Sequence, residues 1–373
     1  MATVTPFRIS VPEHDLVDLR ERLRRSRLLP DSPGRPASGM TADYLAELVE
    51  SWSDFDWRGR EEWLNAHPQV LVEVEGATLH AVHLRAPDPA APALVVMHGW
   101  PHTFALQLDF AERLQSRMHV VVVSLPGFGF STPYREGPMT DDRLVRSVHE
   151  LMTEHLGYET YVTYGEDVSA SINDLLAVRY PHQVTGIIAT HPHFAAPSDE
   201  TLSAALEVQA FRARLERERV SGGAYSHAQA TRPDTLAVGL NDSPAALLAW
   251  IVEKFVEWAD VDTDDPRSLE VRISREKILT EVTLYWVTQT IATSFRPYFD
   301  HHSAAADPTA TTTVPAAVFI QRHEADYPEV MARAFYRDLR VFERLSEGGH
   351  FTAGEVPAAL AQRVGDFVES LGS

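Results

Sequence analysis

Short, almost continuously apolar runs recur along this chain from about residue 70 onward, and amphipathic segments separate them. They are LHAVHL, ALVVMHG, MHVVVVSLPG, YVTYG, VTGIIATH and, after a long interval, VPAAVFIQ and RVFERL. Strands that are buried on both faces have this composition, and their alternation with helices is typical of a mostly parallel sheet. The pattern therefore predicts an α/β fold whose reactive residues lie at the carboxyl ends of the strands.

Two regions of the chain lack this alternation of apolar strands and amphipathic helices. The first extends to residue 75, is rich in Trp, Arg and Glu, and is predicted to be helical. The second separates VTGIIATH from VPAAVFIQ and contains the helical patterns SPAALLAWIVEKFVEWA and KILTEVTLYWVTQTIATSF. We therefore expect an N-terminal helical region over 1–75, an α/β core over 76–194 and 308–373, and an inserted helical cap over 195–307.

The charge and composition of the chain exclude several classes of partner. The net charge is −20, which argues against a nucleic acid or an anionic membrane as partner. A basic cluster between Arg20 and Arg27 lies on a helix whose leucines share one face, so we interpret it as a solvated surface. The chain has no cysteine, no signal-peptide core and no long uncharged apolar run. We expect a cytoplasmic protein without a membrane or nucleic-acid partner.

The stretch TYGEDVSAS carries the first reactive candidate. A strand stops at Gly165, and Asp167 follows two residues later, ahead of a helix-forming segment. A nucleophile on a sharp strand-to-helix turn requires small residues two positions before and after it, and Gly165 and Ser169 meet this need around Asp167. Centring the turn on Ser169 would put Asp167 and Ser171 at those positions, which is a poorer fit. An ordinary strand-loop-helix junction is the alternative.

Three further segments supply the remaining parts of a hydrolase site. In MHGWPHTF, Gly99 permits a turn after a strand, so the amide of Trp100 can form an oxyanion hole with that of Val168. In SEGGHFTAGEV, two glycines precede His350, although a histidine that only caps the last helix would look similar. In RHEADYP, Glu324 lies nearer the end of the preceding strand than Asp326 and is the preferred acid.

The order nucleophile, acid, histidine at positions 167, 324 and 350 is the order found in α/β-hydrolases. A serine that attacks an epoxide forms an ether, which activated water does not cleave. An aspartate forms an ester, which water can hydrolyse at its carbonyl carbon. The elbow aspartate therefore points to epoxides or haloalkanes as substrates. Tyr225 and Tyr298 of the cap could protonate an epoxide oxygen, although a single tyrosine in such a cap more often packs than takes part in catalysis.

The whole chain resembles the epoxide hydrolases of the α/β-hydrolase fold, in the branch that has an extended N-terminal region and includes the microsomal and juvenile-hormone enzymes. FRISVPEHDLVDLRERL, HGWP, SLPGFGFS, LYWVTQTIATSFRPYF and GGHF carry this resemblance. It implies an α/β-hydrolase core with a mostly parallel sheet, an inserted cap and an N-terminal region that wraps around both. It further implies a cis Trp100–Pro101 bond.

The resemblance also implies roles for individual residues. Asp167 would be the nucleophile, with Glu324 as the acid and His350 as the general base. Tyr225 and Tyr298 would polarise the epoxide oxygen, and the amides of Trp100 and Val168 would form the oxyanion hole. The substrates would be an epoxide and water, with no metal or organic cofactor. The aromatic-rich cap, together with a valine at 168 where the family has tryptophan, favours an aromatic or bulky epoxide. Roles in natural-product biosynthesis or detoxification are known for such enzymes, and a homodimer is left open.

Two neighbours of the nucleophile depart from the family pattern Gly-Gly-Asp-Trp-Gly. Val168 replaces a large tryptophan, so family substrate preferences need not transfer. Glu166 adds a second carboxylate, which would raise the pKa of Asp167 unless Glu166 points away from the pocket or is paired. We therefore expect Glu166 to be turned away or paired.

Three other functions compete with an epoxide hydrolase. A haloalkane dehalogenase of the same fold would be expected to carry a tryptophan where Val168 stands. A non-catalytic ligand-binding protein would have no need of the full set of acidic, basic and tyrosine residues. A metal site could use the histidines of THPHF or DHHSA, but no carboxylate lies at ligand spacing from them.

Overall fold

The computed structural model describes residues 4–31, 40–194, 200–300 and 310–372. Within these residues the chain forms nine strands: β1 (Thr5–Phe7), β2 (Gln69–Val74), β3 (Ala77–Leu84), β4 (Ala93–Met97), β5 (His119–Val123), β6 (Tyr161–Gly165), β7 (Val184–Ala189), β8 (Thr312–Ile320) and β9 (Tyr336–Arg344). They make one sheet in the order β1-β2-β3-β5-β4-β6-β7-β8-β9.

The sheet is parallel from β5 through β9, while β1, β2 and β3 extend it as antiparallel strands. Every residue of β4, β5 and β6 is buried, because helices cover both faces of the sheet there. This explains their continuous valine-rich sequences and confirms the predicted mostly parallel α/β architecture. The carboxyl ends of β4, β6, β7 and β8 consequently meet along one edge.

The N-terminal region contributes helices and also strands. Its helices are α1 (Glu13–Arg24), α2 (Ala42–Ser53) and α3 (Trp57–Asn65). The sequence predicted only helices over 1–75, but β1 and β2 also lie there. β1 has three residues, too few to show an alternating pattern. The indole N–H of Trp52 on α2 donates to Thr283 Oγ1 at 2.8 Å, so this region is joined to the segment that follows β7.

The helices that pack on the sheet are α4 (Leu108–Leu114), α5 (Asp141–Glu150), α6 (Val168–Arg179), α16 (Glu329–Phe335), α17 (Thr352–Glu355) and α18 (Pro357–Leu371). A single π-helical turn, Leu151–His155, continues α5. α6 begins directly after the elbow residue Asp167, and α17 begins directly after Phe351. These two helices therefore start beside the residues proposed for catalysis.

Between β7 and β8 the described chain is helical. Its helices are α7 (Glu200–Ala204), α8 (Leu206–Gly222), α9 (Ala224–Thr231), α10 (Pro233–Asp242), α11 (Pro244–Trp258), α12 (Leu269–Arg272), α13 (Arg275–Thr288), α14 (Ile291–Ser294) and α15 (Arg296–Asp300). The boundaries expected at residues 195 and 308 fall in segments outside the described residues.

None of the described helices is by itself long and apolar enough to span a membrane. α10 and α11 reach that length and apolar content only when taken together, and they are bent by 117° relative to each other.

Candidate active site

Asp167 lies at the tip of a strained turn between β6 and α6. Its φ and ψ are 51° and −118°, a region that residues with a side chain rarely occupy. A Cβ atom on Gly165 would lie 2.4 Å from the backbone oxygen of Ser169, so this turn requires glycine there. The Ser169 hydroxyl is buried and donates to the His98 carbonyl at 2.5 Å. Ser169 therefore supports the turn, and Asp167 is the residue that the turn presents.

A backbone amide holds one oxygen of the Asp167 carboxylate. The Trp100 amide donates to Asp167 Oδ1 at 2.9 Å, and the nearby Val168 amide helps to lower the pKa of the Asp167 carboxyl group. A Cβ on Gly99 would lie 2.3 Å from Asp167 Cβ, so glycine permits this close approach of the two loops. The Trp100–Pro101 bond is cis, as expected. The structure thus brings together both amides that the sequence analysis assigned to an oxyanion hole.

His350 faces the other oxygen of the same carboxylate. Its Nε2 lies 3.3 Å from Asp167 Oδ2, but the angles are unsuitable for a hydrogen bond, and Nε2 has no hydrogen-bond partner within the described residues. Burial would lower the pKa of His350, yet the carboxylate of Asp167, followed by those of Glu166 and Glu324, outweighs burial and raises it. Burial would likewise raise the pKa of Asp167, but His350 and the Val168 amide hold it at about 2. Asp167 is therefore ionised at neutral pH, and its charge favours the protonated form of His350.

Glu324 follows β8, as expected, but its carboxylate is engaged elsewhere. Arg214 Nη2 of α8 donates to Glu324 Oε2 at 2.5 Å, and Arg214 Nε donates to Asp326 Oδ2 at 2.8 Å. No hydrogen bond joins Glu324 to His350 in the part of the chain that the structure describes. Both residues line one cavity of about 430 Å³, together with Tyr225. Burial raises the pKa of Glu324 even though Arg214 opposes this effect.

Tyr225 of α9 and Tyr298 of α15 come together above residues 98–103, the loop after β4 that contains Trp100 and is called the oxyanion loop below. Their rings meet edge-on, with centroids 6.0 Å apart. The Tyr225 ring stacks on the Trp100 indole at 5.3 Å, and the Tyr298 ring meets it edge-on at 6.0 Å. Burial first, and then the charge of Asp167, raises the pKa of both tyrosines. Both hydroxyls therefore stay protonated at neutral pH and can donate hydrogen bonds.

Glu166 is fully buried and paired, which confirms the expectation for this residue. Its Oε1 accepts hydrogen bonds from the Tyr164 hydroxyl at 2.5 Å and from the Ala353 amide at 2.9 Å. Its Oε2 accepts from Gln107 at 3.1 Å and lies 3.2 Å from His102 Nε2. Burial would raise the pKa of Glu166, but these contacts, that of His102 above all, hold it at about 2.

The sequence analysis missed two residues that contact His350. His191 Nε2 lies 3.1 Å from His350 Nδ1, and the Trp258 ring packs 4.9 Å from the His350 ring. The signal for His191 was its position directly after β7 in THPHF, which we weighed only as a metal ligand. The signal for Trp258 was weaker, because an aromatic residue at the end of an apolar helix usually packs in the core.

The described residues contain no group of three or more His, Asp or Glu side chains that could hold a metal ion. The two histidines of THPHF have different partners: His191 meets His350, while His193 Nδ1 lies 2.8 Å from Asp174 Oδ2. His301 and His302 of DHHSA lie outside the described residues.

Two family models match this chain. The model described as epoxide hydrolase N terminus matches residues 4–106, and the model described as α/β hydrolase fold matches residues 92–231. Together they cover β1 through α9. The matched segments include HGWP and the elbow.

Known proteins and solved structures resemble the chain over nearly its full length. A putative epoxide hydrolase of Stigmatella aurantiaca is 31% identical over 383 residues, covering 97% of this chain and 84% of that protein. Epoxide hydrolase 1 of Sus scrofa is 29% identical, covering 98% and 88%. The juvenile hormone epoxide hydrolase of the silkworm Bombyx mori superposes with a TM-score of 0.86 at 26% identity, covering 100% and 95%. The Aspergillus niger epoxide hydrolase superposes with a TM-score of 0.85 at 29% identity, covering 99% and 97%.

Proposed function

Because the chain belongs to the epoxide hydrolases of the α/β-hydrolase fold, we propose that it converts an epoxide into a vicinal diol through an ester formed on Asp167. One observation carries this proposal. A carboxylate that accepts a hydrogen bond from the Trp100 amide occupies the strained elbow, with an imidazole nitrogen 3.3 Å away. A carboxylate there forms an ester with an epoxide carbon, and the ester remains open to attack by water.

In the first step Asp167 Oδ2 attacks a ring carbon. Oδ1 is held by the Trp100 amide, so Oδ2 is the oxygen that is free to form the new bond. The carbon–oxygen bond of the ring breaks, and its electron pair goes to the oxygen. Tyr225 or Tyr298 gives its proton to that oxygen, because an alkoxide is far more basic than a phenolate. The products are the hydroxyalkyl ester of Asp167 and one tyrosinate.

In the second step His350 accepts a proton from water, and the resulting hydroxide attacks the carbonyl carbon of the ester. The amides of Trp100 and Val168 stabilise the oxyanion that forms on Oδ1. Collapse releases the diol, restores the carboxylate and leaves His350 protonated beside it. The atoms of one epoxide and one water thus give one diol. Glu324 would contribute negative charge near the imidazolium.

The charge of Asp167 would time the two steps. Before alkylation, that charge is the largest of the contributions that raise the pKa of His350. Ester formation removes the charge, so burial then lowers the pKa of His350, which gives its proton to the tyrosinate and becomes a neutral imidazole. His350 would therefore become a base only after the ester exists.

We propose aromatic or bulky epoxides as the substrates. Trp100 has Tyr225, Trp258, Phe295 and Tyr298 within 6.3 Å of its ring, so aromatic surface surrounds the oxyanion loop. Val168 is only partly buried, and its side chain is smaller than the tryptophan of the family pattern. We also propose that the cap, which supplies both tyrosines, extends over residues 195–307.

Peptide mass spectrometry of His350→Gln after incubation with styrene oxide would test the proposal. We expect the peptide with Asp167 to gain the mass of the whole epoxide, because alkylation proceeds while ester hydrolysis slows by about 10²–10⁴-fold. Asp167→Asn combined with His350→Gln is the matched control and should gain nothing.

Absence of an adduct on the Asp167 peptide, with intact folding and with several epoxides, would contradict the proposed mechanism. An adduct that forms only with 1-bromohexane, with loss of bromide, would identify a dehalogenase instead.

A further inference from the structure

A second histidine occupies the side of His350 where a triad carboxylate would be expected. His191 Nε2 lies 3.1 Å from His350 Nδ1, and the two rings meet edge-on with centroids 4.5 Å apart. Glu324 is held by Arg214, as described above. The direct partner of Nδ1 is therefore an imidazole.

A chain of buried hydrogen-bonding groups continues behind His191. Its Nδ1 lies 3.3 Å from Thr190 Oγ1, and Thr190 Oγ1 lies 3.3 Å from the Tyr164 hydroxyl. The Tyr164 hydroxyl donates to Glu166 Oε1 at 2.5 Å. Thr190, Tyr164 and Glu166 are fully buried, and His191 is 5% exposed. The chain therefore connects His350 to the carboxylate next to the nucleophile through groups that water does not reach.

The carboxylate at one end fixes the direction of every hydrogen bond in this chain. Glu166 can only accept, so Tyr164 uses its proton there. The Thr190 hydroxyl must then donate to the Tyr164 oxygen, and it accepts from Nδ1–H of His191. His191 is left with a lone pair on Nε2, which accepts from Nδ1–H of His350. In the neutral imidazole, this order of donors leaves the lone pair of His350 on Nε2, the nitrogen that faces Asp167.

We propose that His191 is a positioning residue that binds Nδ1–H of His350 and, through Thr190 and Tyr164, is anchored on Glu166. This role rests on the proposed function, since it concerns the tautomer of the general base. His191 does not contact the reacting atoms. It selects the nitrogen of His350 that faces the ester and holds the ring in that orientation.

The electrostatics of His191 suit an acceptor that stays neutral. Burial, followed by the charge of His350, lowers the pKa of His191 to about 3. At neutral pH a proton taken from water therefore stays on His350. The hydrogen bond from the imidazolium to a neutral nitrogen is charge-assisted, and Glu324 and Glu166 supply the compensating charge without direct contact.

Single-turnover kinetics of His191→Phe and His191→Gln would test this role, with rapid quench and mass spectrometry following the Asp167 ester. Phenylalanine keeps the ring but accepts no hydrogen bond, whereas the glutamine amide can both accept and donate. We expect ester formation within about threefold of wild type in both variants, because Asp167 is untouched. Ester hydrolysis should slow about tenfold or more in His191→Phe and recover largely in His191→Gln.

Three further variants complete the test. His83→Phe, a buried histidine on β3 that pairs with Tyr158, is the matched control and should hydrolyse the ester normally. Thr190→Val breaks the hydrogen-bonded chain one residue further from His350, so it should also slow ester hydrolysis. It replaces His191→Phe in the test if that variant does not fold. Glu324→Gln should slow hydrolysis less than His191→Phe does.

Normal ester hydrolysis in folded His191→Phe would overturn the proposal, and so would a defect confined to Glu324→Gln. A defect that His191→Gln shares in full would also overturn it, because that result indicates a packing role only. Failure to form any ester on Asp167, in His350→Gln as well, would instead overturn the proposed function.

Discussion

At the scale of single residues, the candidate site depends on two glycines that allow backbone to approach backbone. Gly99 lies against Asp167, and Gly165 lies against the carbonyl of Ser169. Asp167 itself adopts a positive φ, which costs on the order of 1–3 kcal/mol for such a residue. The surrounding β6 and α6 hold it there. The reactive position of Asp167 therefore requires that Gly99 and Gly165 have no side chain.

Gly165→Ala should show this dependence. Its Cβ would lie 2.4 Å from a backbone oxygen, so the turn must move, and we expect a loss of about 2 kcal/mol or more in unfolding free energy. Epoxide turnover should fall with it. Urea unfolding and product assays provide the measurements.

Gly239→Ala is the matched control for that change. Gly239 lies in α10 with ordinary φ and no atom within 4 Å of the added Cβ, so alanine should stabilise by about 0.5–1 kcal/mol. Equal effects of the two substitutions would refute the steric account of the elbow.

At the scale of elements, one carboxylate joins the His350 loop to the end of α11. Glu355 of α17 is buried, and its Oε2 accepts from the amides of Asp260 and Gly349 at 2.8 and 3.0 Å. Its Oε1 accepts from the Phe351 amide at 3.0 Å. The His350 amide also donates to the Trp258 carbonyl at 3.0 Å. The general base is therefore held by the segment between β7 and β8 as well as by its own loop.

Glu355→Gln should loosen this junction. One carboxylate oxygen becomes an NH₂ group that faces an N–H donor, so we expect a loss of about 2 kcal/mol in stability. Slower ester hydrolysis should accompany it, with ester formation nearly unchanged. Thermal unfolding and single-turnover assays measure the two effects.

Glu347→Gln provides the comparison within the same segment. Glu347 pairs with Arg272 on the surface at 2.8 Å and is half exposed, so its loss should cost less than about 1 kcal/mol. If Glu355→Gln behaves like Glu347→Gln, the junction does not position His350.

At the scale of the whole molecule, buried polar side chains link the N-terminal region, α13 and the loop after β4. Arg60 Nε of α3 donates to Thr280 Oγ1 at 2.8 Å, and the adjacent Glu281 accepts from the Thr103 amide at 2.6 Å. Burial raises the pKa of Glu281 to about 7, and burial does the same for Glu355. The fold therefore keeps two carboxyl groups that ionise near neutral pH.

These two groups predict how stability depends on pH. Their folded pKa values of about 7 exceed the ordinary value of 4.5, so the folded state binds their protons more tightly. Their contribution is fully present below about pH 4.5 and falls by up to about 1.4 kcal/mol per pH unit and group as pH rises to 7. Asp167 and Glu166 have lowered pKa values, so their contribution is lost when pH falls from about 4 towards 2. We expect maximum stability at mildly acidic pH.

The substitution Glu281→Gln removes the contribution of one of these carboxyl groups to the pH dependence of stability. The glutamine oxygen can still accept from the Thr103 amide but does not ionise. The unfolding free energy of the variant relative to wild type should rise between about pH 4.5 and 7 and stay level above pH 7. A difference that is constant over this range, measured by urea unfolding, would contradict the raised pKa of Glu281.

The sequence by itself determined the strand pattern, the α/β class and the elbow at Asp167. It also identified the backbone amides of Trp100 and Val168 as the pair that would form an oxyanion hole. These features depend on neighbours along the chain, such as Gly165 before the turn and Gly99 after β4. Steric crowding and burial restrict which residue types can occupy such positions, so the sequence shows them directly. The family resemblance added the roles expected of Tyr225 and Tyr298.

Only the tertiary structure decided which side chain meets His350 Nδ1. Glu324 follows β8 as expected, but Arg214 of α8 binds it, while His191 at the end of β7 occupies the position beside the imidazole. Likewise, the Tyr164 hydroxyl on β6 connects Thr190 at the end of β7 to Glu166 only because β6 and β7 are adjacent. Such contacts join residues from separate strands and from α8, and hydrogen-bond direction depends on angles and tenths of an ångström that no spacing in the sequence records.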